Sequence, residues 1–200
     1  MNLLNDFLLI ILSAIVLQNA IFTRGFGASK GSLMRTSSQK ILQFGCTLTV
    51  VATLSSLLAW PVQLVLRDRL EAGVQLAARY AATLASICIV YTAVWLLTKY
   101  IFPGVHYDIR NMLSSASFNS ATLGSLLIAF SGSYGLVQTV GFALGSGIGY
   151  TLAILLLCEG RRRIALSDVP RAFRGMPVML LYAGILSLAI YGLIGHQLPT

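Results

Sequence analysis

Long stretches of the chain carry no charge. Residues 7–23, 41–66, 80–98, 111–158 and 175–200 hold no Asp, Glu, Lys or Arg and are mostly apolar. A helix needs about 20 such residues to cross a bilayer, so the pattern predicts transmembrane helices. The first is expected over Leu3–Phe22. The second falls within Ile41–Leu66 and should end near Trp60-Pro61, where proline removes a helical donor and the indole suits the membrane interface. The third is expected over Tyr80–Leu97, before Lys99-Tyr100 and a Phe102-Pro103-Gly104 breaker. The run 111–158 is too long for one helix. Ser131-Gly132-Ser133-Tyr134-Gly135 divides it into spans near Met112–Phe130 and Leu136–Cys158, and a sixth span covers Val178–Ile194. The expected fold is all-α and integral to the membrane: a single polytopic domain, residues 1–200, with six transmembrane helices.

Composition narrows the class. Only 10% of residues are charged and 56% are hydrophobic, against about 25% charged in a soluble domain. Disorder is excluded from the same side, because disordered chains are rich in charge and poor in apolar residues. The net charge of +8 is no nucleic-acid footprint, since a nucleic-acid binder gathers its cations on a solvated domain. Here they sit between apolar runs. Arg24, Lys30, Arg35, Lys40, Lys99, Arg110, Arg161, Arg162, Arg163, Arg171 and Arg174 follow spans one, three and five, while only Arg67, Arg69 and Arg79 lie on the other side. The positive-inside rule then puts the larger set in the cytoplasm and both termini outside. Asp6 precedes the first run without a basic flank or a clear cleavage site after it, so a retained span is expected there. Cys46, Cys88 and Cys158 lie in or at the end of apolar runs without Cys-x-x-Cys spacing. They are expected as buried thiols behaving as small hydrophobes.

Two spans are interrupted. In the first, Ala14-Ile15-Val16-Leu17 runs into Gln18-Asn19 and then Gly25-Phe26-Gly27-Ala28-Ser29. In the fourth, Ser114-Ser115-Ala116-Ser117-Phe118-Asn119-Ser120-Ala121-Thr122-Leu123-Gly124 sits inside an uncharged run. Either segment alone is compatible with ordinary membrane helices, where Ser and Thr bond their own backbone and small residues mark tight packing. Both, however, place an Asn before small residues at the opening of a three-span half. Halves of three spans have opposite orientation, so the pattern predicts an inverted repeat, about 1–101 and 107–200, with helices 1 and 4 broken. Broken helices at matching positions point to a site near the bilayer midplane, where irregular backbone must be buried in protein or line a cavity.

These segments also carry a family resemblance. Gln18-Asn19-Ala20-Ile21-Phe22-Thr23-Arg24-Gly25-Phe26-Gly27 resembles the Asn-Asn-Phe-Val-Leu-x-Lys-Phe-Leu-Gly elbow of the membrane subunits shared by Rnf complexes and sodium-pumping NADH:quinone reductases. Phe118-Asn119-Ser120-Ala121-Thr122-Leu123-Gly124 is similar to the second elbow, Thr-Asn-Cys-Ala-Val-Leu-Gly. The segment Asp168-Val169-Pro170-Arg171-Ala172-Phe173-Arg174-Gly175-Met176-Pro177 resembles the pattern Asp-Val-Pro-x-x-Phe-Arg-Gly-x-Pro of one branch of the family, the A-type subunits of Rnf complexes, and it is the most specific piece. The resemblance covers nearly the whole chain in order. It implies a component of a bacterial inner-membrane complex that couples electron transfer to Na⁺ or H⁺ translocation. The implied partners are a homologous sister subunit plus further Rnf-type subunits.

In that family each sister gives one cysteine from each elbow, and the four hold a two-iron two-sulfur cluster. The aligned positions here are Ser29 and Ser120. Iron–sulfur clusters need soft anionic thiolates, and a serine hydroxyl does not ionise near neutral pH. Lys30 also stands where the family usually has Pro, which reads as natural divergence. The expectation is therefore no cluster held by this chain alone, no metal, and an elbow kept open by Gly25, Gly27 and Gly124.

Other chemistry is sparse. Arg24 aligns with the family's Lys and reads as a flanking cytoplasmic charge, and Glu159-Gly160-Arg161-Arg162-Arg163 as an anchor attracted to anionic lipid. His106 and His196 have no partner at ligand spacing, and no carboxylate interrupts the uncharged runs. No nucleophile with a base and no phosphate loop is present, so independent catalysis is not expected. The competing reading is a stand-alone or homodimeric transporter in which Ser, Thr and Asn of the paired elbows bind an ion or polar solute.

Overall fold

The computed structural model describes residues 3–26, 37–69, 72–101, 103–132 and 134–194. Among these the regular structure is helical throughout: α1 (Leu3–Ile15), α2 (Ser38–Arg69), α3 (Ala72–Ile101), α4 (Pro103–Ser117), α5 (Ser120–Ser131), α6 (Leu136–Ala165), a short 3-10 turn at Arg171–Phe173, and α7 (Met176–Ile194). The helices α2, α3 and α6 are each long and apolar enough to cross a membrane. Residues Arg110–Ser117 and Ser120–Ser131 form a bent pair, about 40° apart, that makes a fourth span if counted as one. Apolar helices at Asn5–Ile15 and Met176–Gly192 are shorter. Among the described residues the count by length and composition is three or four spans, where the charge pattern predicted six.

Boundaries differ from expectation in an instructive way. Helix α2 does not stop at Trp60-Pro61 but continues through Pro61 to Arg69. One proline removes one donor and strains one turn, and an apolar setting keeps the remaining backbone bonds. Pro103 opens α4 instead of breaking the chain. At the first helical position a missing N–H costs nothing and the fixed φ is already helical. The break after α5 lies where predicted: Ser131 ends it and Gly135 caps α6, with Gln138 Oε1 accepting from Gly135 N at 3.1 Å.

The molecule is organised around α6, which packs on α1, α2, α5 and α7. Glycine makes this possible. A Cβ at Gly141 would strike Phe7, one at Gly145 would lie 2.6 Å from the Ile11 carbonyl oxygen, and one at Gly149 would lie 3.0 Å from Ile15 Cα. Both sets of positions rise by four, so α1 runs parallel to α6 along a bare stripe. On another face Gly147 meets Thr49 while Thr151 fills the space over Gly45, a falling register that makes α2 antiparallel to α6. Small residues let backbones approach closely, the usual source of helix adhesion where lipid tails remove the hydrophobic drive.

Leucines cover the outward surfaces, for example Leu156, Leu180 and Leu188. Cys46 and Cys88 are likewise exposed, and Cys158 is half-buried. The expectation of buried thiols fails here because the solvent around a membrane helix is itself apolar, so a small hydrophobe need not face inward.

Candidate functional site

The predicted break in the fourth span is present as the bend between α4 and α5. At the first elbow α1 ends at Ile15 and gives way to turns. The two elbows are built alike. After Ile15 the chain leaves the α1 helix, and Asn19 begins a single helical turn. Its Oδ1 accepts from the Ile21 and Phe22 amides at 3.0 and 3.3 Å, and its carbonyl accepts from Thr23 N at 3.1 Å. The turn closes at Gly25, whose φ of 69° suits glycine and whose N–H donates to Ile21 O at 2.9 Å. In the second elbow Asn119 is the N-cap of α5. Its Oδ1 accepts from Ala121 N at 3.3 Å and its carbonyl from Leu123 N at 3.1 Å. Asn suits this position because its side-chain oxygen replaces the missing partner of a first-turn amide.

The amide nitrogens face the same place. Asn19 Nδ2 donates to Ile15 O at 2.8 Å and to Gly149 O at 3.0 Å; Asn119 Nδ2 donates to Tyr150 Oη at 2.9 Å. Consecutive residues of α6 thus hold the two elbows, with Asn19 and Asn119 each only 4% exposed. The elbows also touch one another. Phe26 covers Gly124 so closely that a Cβ there would displace its ring, and Ala20, Phe22 and Ala121 share one apolar cluster with Tyr150 and Ile154. Ser187 of α7 donates to the Phe22 carbonyl. The irregular backbone of both elbows is therefore tied down inside an apolar molecule.

The Tyr150 phenol is a test of this arrangement. A Tyr150→Phe protein should lose about 1–3 kcal/mol, the penalty of a buried donor left unmade, seen as a lower melting temperature of the purified chain. An unchanged transition would mean that Asn119 needs no partner on α6.

Ser120, predicted as a cluster-aligned position, is the first residue of α5 and is exposed. Ser29 and Gly27 lie outside the described residues. Arg24 is exposed beside Gly25. The Asp-Val-Pro segment is apart from the elbows. Pro170 leads into the 3-10 turn, Phe173 N donates to Pro170 O at 2.9 Å, and Arg174 Nε donates to Val169 O at 2.8 Å. Gly175, with φ of 90°, turns the chain into α7. Asp168, Phe173 and Arg174 are exposed. Sequence reasoning missed Tyr150 and the Gly141, Gly145, Gly149 stripe. The stripe had a readable signal, small residues every four positions, whereas nothing marked Tyr150.

Chemically the elbows present amides, hydroxyls and carbonyls. Among the described residues no three or more His, Cys, Asp or Glu gather to hold a metal. The three cysteines sit on α2, α3 and α6 and not in the elbow segments, and Cys158 packs against the apolar cluster that holds Ala20, Phe22 and Ala121.

Comparison with known proteins agrees with the elbow and Asp-Val-Pro resemblances. A family profile described as "Rnf-Nqr subunit, membrane protein" matches residues 7–196. The A-type subunit of the Na(+)-translocating ferredoxin:NAD(+) oxidoreductase complex of Acetobacterium woodii is 30% identical over 192 residues, covering 94% of this chain and 97% of the relative. The A-type subunit of the ion-translocating oxidoreductase complex of Syntrophotalea carbinolica is 28% identical, with 96% and 98% covered. Its counterpart in Aromatoleum aromaticum is 27% identical with the same coverage. With a match across nearly its whole length, the chain belongs to the Rnf-Nqr family of membrane subunits.

Proposed function

We propose that the chain is the A-type membrane component of an Rnf-type, ion-translocating electron transport complex in a bacterial cytoplasmic membrane. The observation that carries this is the family match over residues 7–196, joined by relatives named as the A-type subunits of such complexes. In this reading the chain makes six passes as an inverted repeat with both termini outside, and α1 and α7 each form a pass despite their length. Two features support the repeat. Asn19 and Asn119 make the same backbone bonds at offsets of two and four residues. The first helix packs on α6 while α4 and α5 pack on α2, its counterpart in the other half.

The partner is a homologous sister subunit, and Ser120, exposed at the start of α5, belongs to the face that meets it. The donor set does not fit a two-iron cluster. Position 120 offers a hydroxyl, position 29 is also serine, and the cysteines belong to other helices. We accordingly route no electron through this chain's elbows. Its part is to hold a dry, hydrogen-bonded pair of elbows against the sister.

Tagged chain isolated from its own membranes should bring down a second membrane subunit of this family and flavin- or iron–sulfur-bearing subunits. Chain that purifies alone and mediates solute uptake in liposomes would overturn the assignment. Iron analysis and electron paramagnetic resonance of the complex should detect no two-iron cluster between the sister subunits at these elbows. A cluster signal that disappears in a Ser120→Ala complex would reverse that part of the reading.

A further inference from the structure

A cavity of about 930 Å³ lies between the C-terminal end of α6 and the start of α7. Its lining is divided. Arg161, Ser167, Asp168 and Arg174 supply charge and hydrogen bonding; Ile164 and Val178 represent an apolar remainder. We propose that this cleft seats the headgroup of one anionic phospholipid whose alcohol carries free hydroxyls, as phosphatidylglycerol does.

Charge selects the anion. Two guanidinium groups and one carboxylate line the cleft, a surplus of one positive charge that a single phosphodiester neutralises. Arg174 has its Nε committed to Val169 O, which fixes the guanidinium and leaves its Nη groups for a phosphate, the geometry arginine serves best. Arg162 and Arg163 pair with Glu159, at 3.9 and 3.3 Å, and neither lines the cleft. Asp168 selects the alcohol, because a carboxylate needs donors: glycerol hydroxyls supply them, and a choline headgroup has none.

Position selects lipid over an acidic peptide. The cleft opens where two apolar helices meet the connecting segment, and those helices carry outward leucines such as Leu156 and Leu180, 48% and 64% exposed. Acyl chains can follow that surface outward while the phosphate stays at the interface, where basic residues attract anionic lipid. The volume lies within the range of built small-molecule sites and suits a headgroup with its glycerol, not two whole chains. The proposal requires only that the chain lie in a membrane. Its fate is separate from that of the complex assignment.

Native mass spectrometry of the full-length chain, titrated with phosphatidylglycerol or phosphatidylcholine in mild detergent, tests it. One equivalent of phosphatidylglycerol should be retained in preference to phosphatidylcholine. Arg161→Gln and Arg174→Gln should each weaken retention about fivefold, the effect of one cation near an anionic headgroup. Arg162→Gln should leave it unchanged. Arg161→Lys should restore it to within about twofold, and equal lipid-free melting temperatures exclude misfolding as the cause. Equal retention of both lipids, or equal loss in Arg161→Gln and Arg162→Gln, would overturn the site. So would a photo-crosslinker at position 166 that captures a protein segment in native membranes instead of lipid.

Discussion

A Gly145→Leu chain should fail to accumulate in membranes, and Gly145→Ala should unfold about 1–3 kcal/mol more easily than the parent. A Cβ at this position would sit 2.6 Å from Ile11 O and 2.8 Å from Ala14 Cβ. Neither obstacle is the far end of a flexible side chain, so relief requires α1 to move off α6. Overpacking of this kind costs about 1–3 kcal/mol for a methyl and more for a branched side chain. Gly184→Ala on α7 is the matched control. Nothing lies within 4 Å of a Cβ there, and helix propensity alone favours alanine by up to about 1 kcal/mol. Tryptophan fluorescence during thermal or denaturing-detergent unfolding reads both. If Gly145→Ala and Gly184→Ala shift the transition equally, α1 does not seat on the glycine stripe.

The two elbow asparagines should respond unequally to the same change. Asn19→Asp replaces a donor that faces Ile15 O and Gly149 O with an acceptor at a 4%-exposed position. Carbonyls cannot reverse their role, so an anion there is uncompensated, and the expected loss is about 3–5 kcal/mol. Asn119→Asp meets Tyr150 Oη, a hydroxyl that can turn and donate. Its carboxylate also keeps the cap on Ala121 N and sits at the N-terminus of α5, where negative charge is favoured. That variant should lose less than half as much. Assembly yield and melting temperature of the two proteins provide the comparison; equal damage would mean that the Tyr150 hydroxyl does not turn.

Much of the fold was legible because the bilayer imposes simple rules. Uncharged runs located the helices, and polar residues within them located both breaks, at Asn19 and Asn119. The elbows were readable since buried irregular backbone demands side-chain partners, and Asn is a residue that supplies them. Helix ends were not readable from charge. Arg67 and Arg69 lie inside α2 and Arg79 inside α3, because long cationic side chains can extend to the interface from a helix that continues. Cysteine burial failed for the reason that membrane helices have two apolar surroundings, protein and lipid. The meeting of Phe26 with Gly124 needed three dimensions, as the two lie in different halves with no local pattern linking them.

The parallel seating of α1 on α6 bears on how the chain is made. The Asn19–Gly149 bond joins residues 130 apart, and the Ser187–Phe22 bond joins residues 165 apart. Ribosomes add about 5–20 residues per second, so the first elbow emerges roughly 7–26 s before the Gly149 carbonyl that satisfies it exists. During that interval Ala20–Phe22 cannot reach their final neighbours, and a nascent chain must shelter a polar turn in lipid or beside the insertion machinery. Late closure of such distant contacts also makes folding slow. Neither half, synthesised by itself, would possess a finished elbow: the first lacks the Gly149 carbonyl, and the second lacks the phenylalanine that roofs Gly124.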